Sequence, residues 1–107
     1  MGIDPGTNIL GFGVVRVNEN SRAEFVDMGV LDLRKVGDAY DKLRIISDKV
    51  GALCELHKPD DMAVESPFYA RNAQVVFKLG RAQGAAIVAA RERGVPVFAQ
   101  GLAQWCR

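Results

Sequence analysis

Met62-Ala63-Val64-Glu65-Ser66-Pro67 is the stretch on which the fold turns. A run of apolar residues ending in a carboxylate reads as a short central strand covered on both faces, because a strand with one buried face alternates apolar and polar positions. Pro67 breaks the strand. Upstream, Ala39, Leu43, Ile46, Val50 and Leu53 recur at intervals of four, three, four and three, the buried stripe of an amphipathic helix. Asp38 caps its start and Pro59 marks its stop. Downstream, Asn72 caps a second helix that runs to about Arg93, roughly 30 Å at ~1.5 Å per residue. Gly94 ends that helix, and Val95-Pro96-Val97-Phe98 supplies the last strand.

The first third has a different rhythm. Phe12-Gly13-Val14-Val15-Arg16-Val17 is rich in β-branched residues, and Asn18-Glu19-Asn20-Ser21-Arg22 carries turn chemistry. Ala23 to Leu33 alternates loosely and pairs as a hairpin. With Met1 to Pro5 as a short first strand, this third is a three-stranded antiparallel meander. The predicted order is β-β-β-α-β-α-β, a mixed α/β sheet with helices packed on it.

Composition narrows the function classes. The chain has 107 residues, a hydrophobic fraction of 49% and a net charge of +1 from 14 basic and 13 acidic residues. These are the values of one ordinary globular domain. Global charge does not advertise a polyanion partner, so any basic patch is local. No window is long and apolar enough for a membrane span, and no signal-peptide pattern opens the chain, so a cytoplasmic protein is expected. Cys54 and Cys106 form neither a CxxC nor a Cys/His pattern, and Cys54 reads as a buried small hydrophobe. His57, at the end of the first helix, reads as a partner of helix carbonyls rather than a base.

Asp4, in Gly2-Ile3-Asp4-Pro5-Gly6-Thr7, and Glu65 stand out as candidate catalytic residues. If the strands ending in them lie parallel and adjacent, ~4.8 Å apart, their carboxylates converge on a site suited to one or two divalent metals acting on a phosphodiester. Read alone, Asp-Pro-Gly is a turn. Glu65, at the end of a buried strand, carries a desolvation cost unless it is paired or metal-bound. Gly6, Gly11 and Gly13 allow a phosphate close to the backbone, and Thr7 and Asn8 offer donors, although no Walker pattern is present. In the loop Pro67-Phe68-Tyr69-Ala70-Arg71-Asn72, Phe68 and Tyr69 can stack bases while Arg71 meets a phosphate, with Asn72 beside them. Lys78 and Arg81 extend that nucleic-acid contact along the helix. In the second helix, Gly84 to Ala90 is apolar on every face. Gly80, Gly84, Ala85, Ile87 and Val88 therefore suit a homodimer interface or burial within the domain, and the residues alone leave both open.

Gly2 to Thr7, Ala63-Val64-Glu65-Ser66-Pro67-Phe68, and Asn72-Ala73 with Lys78-Leu79-Gly80-Arg81-Ala82-Gln83-Gly84 together resemble the RuvC family of crossover-junction endodeoxyribonucleases. The resemblance runs from residue 2 to about residue 98. It implies a ribonuclease H-like fold and Mg²⁺-dependent symmetric nicking of four-way (Holliday) junctions in DNA recombination and repair. It also implies a homodimer and partnership with a branch-migration motor. Asp4 and Glu65 match the family's first two metal-binding carboxylates, Phe68 its DNA-contacting aromatic, and the helix from Asn72 its dimerisation helix. The resemblance further implies a final helix bearing more acidic ligands. Residues 99–107 do not resemble the family, so the expectation is an incomplete nuclease core at 1–98, a divergent tail at 99–107, and a catalytically incomplete chain. Two other readings remain: a non-catalytic DNA-binding or dimerising fragment of a resolvase, and a phosphate-binding fragment of the actin and sugar-kinase superfamily.

Overall fold

A computed structural model describes residues 1–6, 8–65 and 72–100, the side chain of Gln100 excepted. Strands β1 (Gly2–Asp4), β2 (Ile9–Val17) and β3 (Ala23–Asp32) precede helix α1 (Ala39–His57). Strand β4 (Met62–Glu65), helix α2 (Ala73–Glu92) and strand β5 (Val97–Gln100) follow. The sheet order is β3-β2-β1-β4-β5. β1 is antiparallel to β2 and parallel to β4, and β4 is parallel to β5. The meander and the α/β alternation are thus joined at β1, which lies centrally between them.

Local chemistry sets the helix ends. The Asp38 carboxylate accepts from the N–H groups of Tyr40 and Asp41 at 2.8 and 3.0 Å, satisfying donors that α1 itself leaves unpaired. Asn72 does the same for α2 through the Val75 N–H at 2.9 Å. Gly94, at φ +74°, closes α2: its N–H donates to the Arg91 carbonyl and the Val95 N–H to that of Ala90. This paired arrangement needs a left-handed residue, which glycine adopts without Cβ strain. It also moves the predicted last strand. Val95 is spent on the cap, so β5 begins at Val97, two residues later than expected, and runs to Gln100. β2 begins at Ile9 rather than Phe12, because Ile9 and Leu10 pair with Asp32 and Leu31 across the meander despite the glycines that follow.

Both helices pack on one sheet face. Leu10, Leu33, Ile46, Val50, Met62 and Val64 are the largest wholly buried side chains, each worth ~1.5–3 kcal/mol of burial. On α2, Ala82, Ala86, Ala89 and Ala90 join this core while Val76, Phe77 and Val88 stay exposed. The helix that reads as apolar all round therefore has a small-residue face inside the domain and a bulkier face outside it. His57 differs from expectation: its Nε2 lies 2.9 Å from Asp27 Oδ2, tying α1 to β3 rather than to helix carbonyls.

The opposite sheet face is open. Ile9, Val15, Phe25, Met28, Val30 and Phe98 are exposed there, and among the described residues nothing covers them. A bulge at Val14/Val15 leaves Val26 without a partner and turns Phe25 onto this face. β4 is accordingly central but covered on one face only, with Met62 and Val64 in the core and Ala63 and Glu65 facing away.

Candidate active site

Register decides where the carboxylates meet. Gly2 pairs with Ala63 and Ile3 with Val64, so the next step along both parallel strands sets Asp4 beside Glu65 on the open face. Strand β2 presents Gly11 opposite Asp4 and Gly13 opposite Gly2. Three glycines on adjacent strands remove the side chains that would fill this surface. The result is a hollow of about 540 Å³ walled by Asp4, Glu65 and Val15 over Gly2, Gly11 and Gly13. A Cβ on Gly13 would meet nothing within 4 Å, and one on Gly11 would sit 3.8 Å from the Asp4 Cβ, so the space is open and not a packing requirement. At Gly6 the demand is steric, because a Cβ there would run into the Ile9 carbonyl.

The two acids act on one another. Hydrogen bonding with the Asp4 carboxyl raises the Glu65 pKa, with smaller contributions from burial and from the Asp4 charge. Two carboxylates held this close form a donor set that a divalent cation relieves, since its charge offsets their mutual repulsion. Asp4 and Glu65 therefore fit a metal. Among the described residues no third acidic, histidine or cysteine side chain joins them in a cluster. Gln83, which sequence reading did not single out, donates from Nε2 to the Glu65 carbonyl at 3.3 Å and ties α2 to the end of β4. Its spacing from Glu65 carries no local signal.

The remaining predicted residues separate into groups. Phe68, Tyr69 and Arg71 lie outside the described residues. The Asn72 side chain is engaged in capping α2. Lys78 and Arg81 stand together, but on the helix side of the sheet, in a second hollow with Gly6, Asn8 and Lys42. Gly80 and Gly84 face open space, and Val88 is exposed beside them. Ala85 and Ile87 instead pack partly against the domain's own core.

Comparison with known proteins places this arrangement. The family model for crossover junction endodeoxyribonuclease RuvC matches residues 1–104. The chain belongs to the RuvC family. A RuvC from Bacteroides fragilis is 50% identical over 97 residues, covering 91% of this chain and 51% of the relative. One from Christiangramia forsetii is 45% identical, covering 91% and 50%. The chain thus spans about half the length of the curated RuvC relatives it matches. Among solved structures, T. thermophilus RuvC in complex with Holliday junction substrate superposes with a TM-score of 0.87 at 36% identity, covering 96% of this chain and 64% of that one. The yeast mitochondrial Holliday junction resolvase Ydc2 shares the fold, with a TM-score of 0.64 at 14% identity, over 94% of this chain and 51% of that one. The mixed five-stranded sheet is the RuvC, ribonuclease H-like, architecture.

Proposed function

We propose that this chain carries the first half of a metal-dependent nuclease site that acts on four-way DNA junctions. The observation that carries the reading is the placement of Asp4 and Glu65 side by side above a glycine floor, in a chain whose family is named for that activity. Mg²⁺ is the proposed ion, held by the two carboxylates; when bound it polarises a phosphodiester and lowers the pKa of a coordinated water. The protein residues prepare the site. Asp4 and Glu65 are fixed by the β1/β4 ladder, and Gly2, Gly11 and Gly13 leave room for a sugar-phosphate strand to lie against the sheet. A hard cation takes six or more oxygen ligands, so two carboxylates leave positions for water, substrate and further acids.

DNA contact is proposed for Lys78 and Arg81 through the backbone, for Tyr69 and Arg71 on their residue types, and for Phe68 on the family resemblance as the aromatic at the junction. Homodimerisation is proposed through the outward face of α2, where Gly80, Gly84, Phe77 and Val88 offer close approach and exposed apolar area. Partnership with a branch-migration motor and a cytoplasmic location rest on the family alone. No helix among the described residues is long and apolar enough to cross a membrane.

Gel-shift titration of residues 1–107 with a four-way junction, against a linear duplex built from the same arms, tests the reading. Tighter binding to the junction, weakening as salt rises because phosphate contacts release counterions, is expected. Equal affinity for the two DNAs would defeat it. A second reading, a junction-binding module without cleavage of its own, is favoured by the absence of a third acidic ligand among the described residues. Nicking in Mg²⁺ that Asp4→Asn abolishes would decide for the nuclease.

A further inference from the structure

Gly6 and Asn8, shortly after Asp4, lie on the helix face of the sheet and wall a hollow of about 230 Å³. Lys42 of α1 and Lys78 and Arg81 of α2 close its other sides over Ile46. Among the described residues three cations line it and no carboxylate does.

Lys42 and Arg81 are held without being neutralised. Lys42 Nζ donates to the Asn8 side-chain oxygen at 3.1 Å, a neutral acceptor that leaves its charge and two protons in play. Arg81 lies over the Phe77 ring at 4.3 Å and near the Tyr40 ring at 5.6 Å. Stacking engages the face of a guanidinium and leaves the N–H donors of its edge for a planar or tetrahedral oxyanion. Among the described residues none of the three enters an ion pair, whereas Arg34, Arg44 and Arg93 each have a carboxylate within reach. Like charges gathered this way repel unless an anion joins them.

Size and position identify the anion. The hollow is smaller than the ~300–1,000 Å³ of pockets that enclose a whole drug-sized ligand, so it suits a phosphodiester better than a nucleotide. Gly6 and Asn8 follow Asp4 by two and four residues, which at ~3.5 Å per residue keeps them within about 7 and 14 Å of it. At ~3.4 Å of rise per nucleotide, that is at most about four nucleotides of one strand.

We infer that Lys42, Lys78 and Arg81 seat a backbone phosphate of the same strand that Asp4 and Glu65 address, within about four nucleotides of it, with Asn8 orienting Lys42. This rests on the nuclease reading above. It adds a phosphate clamp that sets how far the strand is drawn past the carboxylates, and a role for Lys42 that neither motif nor charge pattern signals.

The test measures junction affinity of residues 1–107 across a salt series for the wild type, Lys42→Gln, Lys42→Arg and Lys78→Gln, each checked by thermal melting. Lys42→Gln and Lys78→Gln should each lower the slope of log affinity against log salt, by no more than about 1, and Lys42→Arg should not. The junction is then rebuilt with single neutral methylphosphonate linkages placed in turn around its centre. At one linkage the wild type should lose more affinity than Lys42→Gln loses on the unmodified junction, and Lys42→Gln should lose less at that linkage than the wild type does. If the wild type prefers the junction but the slopes match and every linkage affects both proteins alike, the clamp is wrong and the nuclease reading stands. If the wild type shows no preference for the junction, that reading falls and the clamp with it. Calorimetric ATP binding that Lys42→Gln abolishes would overturn the clamp in favour of a nucleotide site.

Discussion

Replacing Glu65 with Gln should move stability and metal response in opposite directions. At neutral pH the metal-free wild type holds two carboxylates on adjacent strands, with backbones ~4.8 Å apart and side chains on one face. Two unit charges ~4 Å apart repel by ~1 kcal/mol in water and ~4 kcal/mol at an effective dielectric of ~20. Glu65 keeps substantial contact with solvent, so the lower figure applies. Glu65→Gln keeps the shape, removes one charge and lets the amide donate to Asp4. A gain of about 1 kcal/mol is expected, or roughly 4–8 °C in Tm for a domain of this size.

The pH dependence follows from the raised pKa of Glu65. A carboxyl group whose folded pKa lies above its unfolded value contributes stability below the ordinary carboxylate range, and that contribution is lost as pH rises through the folded pKa. The advantage of Glu65→Gln should therefore vanish at acid pH, where wild-type Glu65 is protonated, and develop as pH rises through that window. Metal reverses the order. A ligand at ~100 times its Kd stabilises a fold by ~2.7 kcal/mol, so saturating Mg²⁺ or Mn²⁺ should raise the wild-type Tm and leave the variant nearly unmoved. Circular-dichroism melts in chelator and in excess metal, at acid and neutral pH, check all of this. A variant that melts no higher than wild type in chelator at neutral pH, or that gains as much from metal, would refute the reasoning.

Other perturbations separate packing from function. Gly13→Val places a side chain where no atom lies within 4 Å, so it should raise stability by ~0.5–1 kcal/mol through lower chain entropy while filling the carboxylate hollow and weakening junction binding several-fold. Loss of stability would show that this face is packed. On α2, Ala86→Leu should overfill a wholly buried position at a cost of ~1–3 kcal/mol, read by urea titration. Gly84→Leu, which faces open space, should leave the monomer at least as stable yet shift sedimentation toward monomer. Asp32, whose carboxyl is held down at about 2 by hydrogen bonds from Arg34, contributes above the ordinary carboxylate pKa and loses that contribution as pH falls through about 2. Asp32→Asn should flatten that acid limb of the Tm profile by a small amount, since the pair is exposed.

What the chain reveals in its own letters, and what it hides, follows from the range of the forces involved. The caps at Asp38 and Asn72 are legible because a side chain serves its own helix within a few residues. The stripe from Leu43 to Leu53 is legible because a helix repeats its buried face every turn. The Asp4 and Glu65 pairing is legible for a related reason: short strands ending in carboxylates leave little choice of register once both are central. Where two demands fall on one residue, local reading slips. Val95 has the β-branched profile of a strand residue, but the cap of α2 claims its N–H, and the ladder starts later. The apolar run at Met62 to Val64 resembles a strand covered on both faces, yet alanine at position 63 is small enough to lie on an open one. Lys42 shows the limit most clearly. In sequence it is one more cation on the polar side of α1, and its meaning comes from Asn8, 34 residues earlier, and from α2, more than 30 residues later. Carboxylates at strand ends announce chemistry because burial makes them costly, whereas a cation at a surface costs little and announces nothing until the fold gathers several of them around one space.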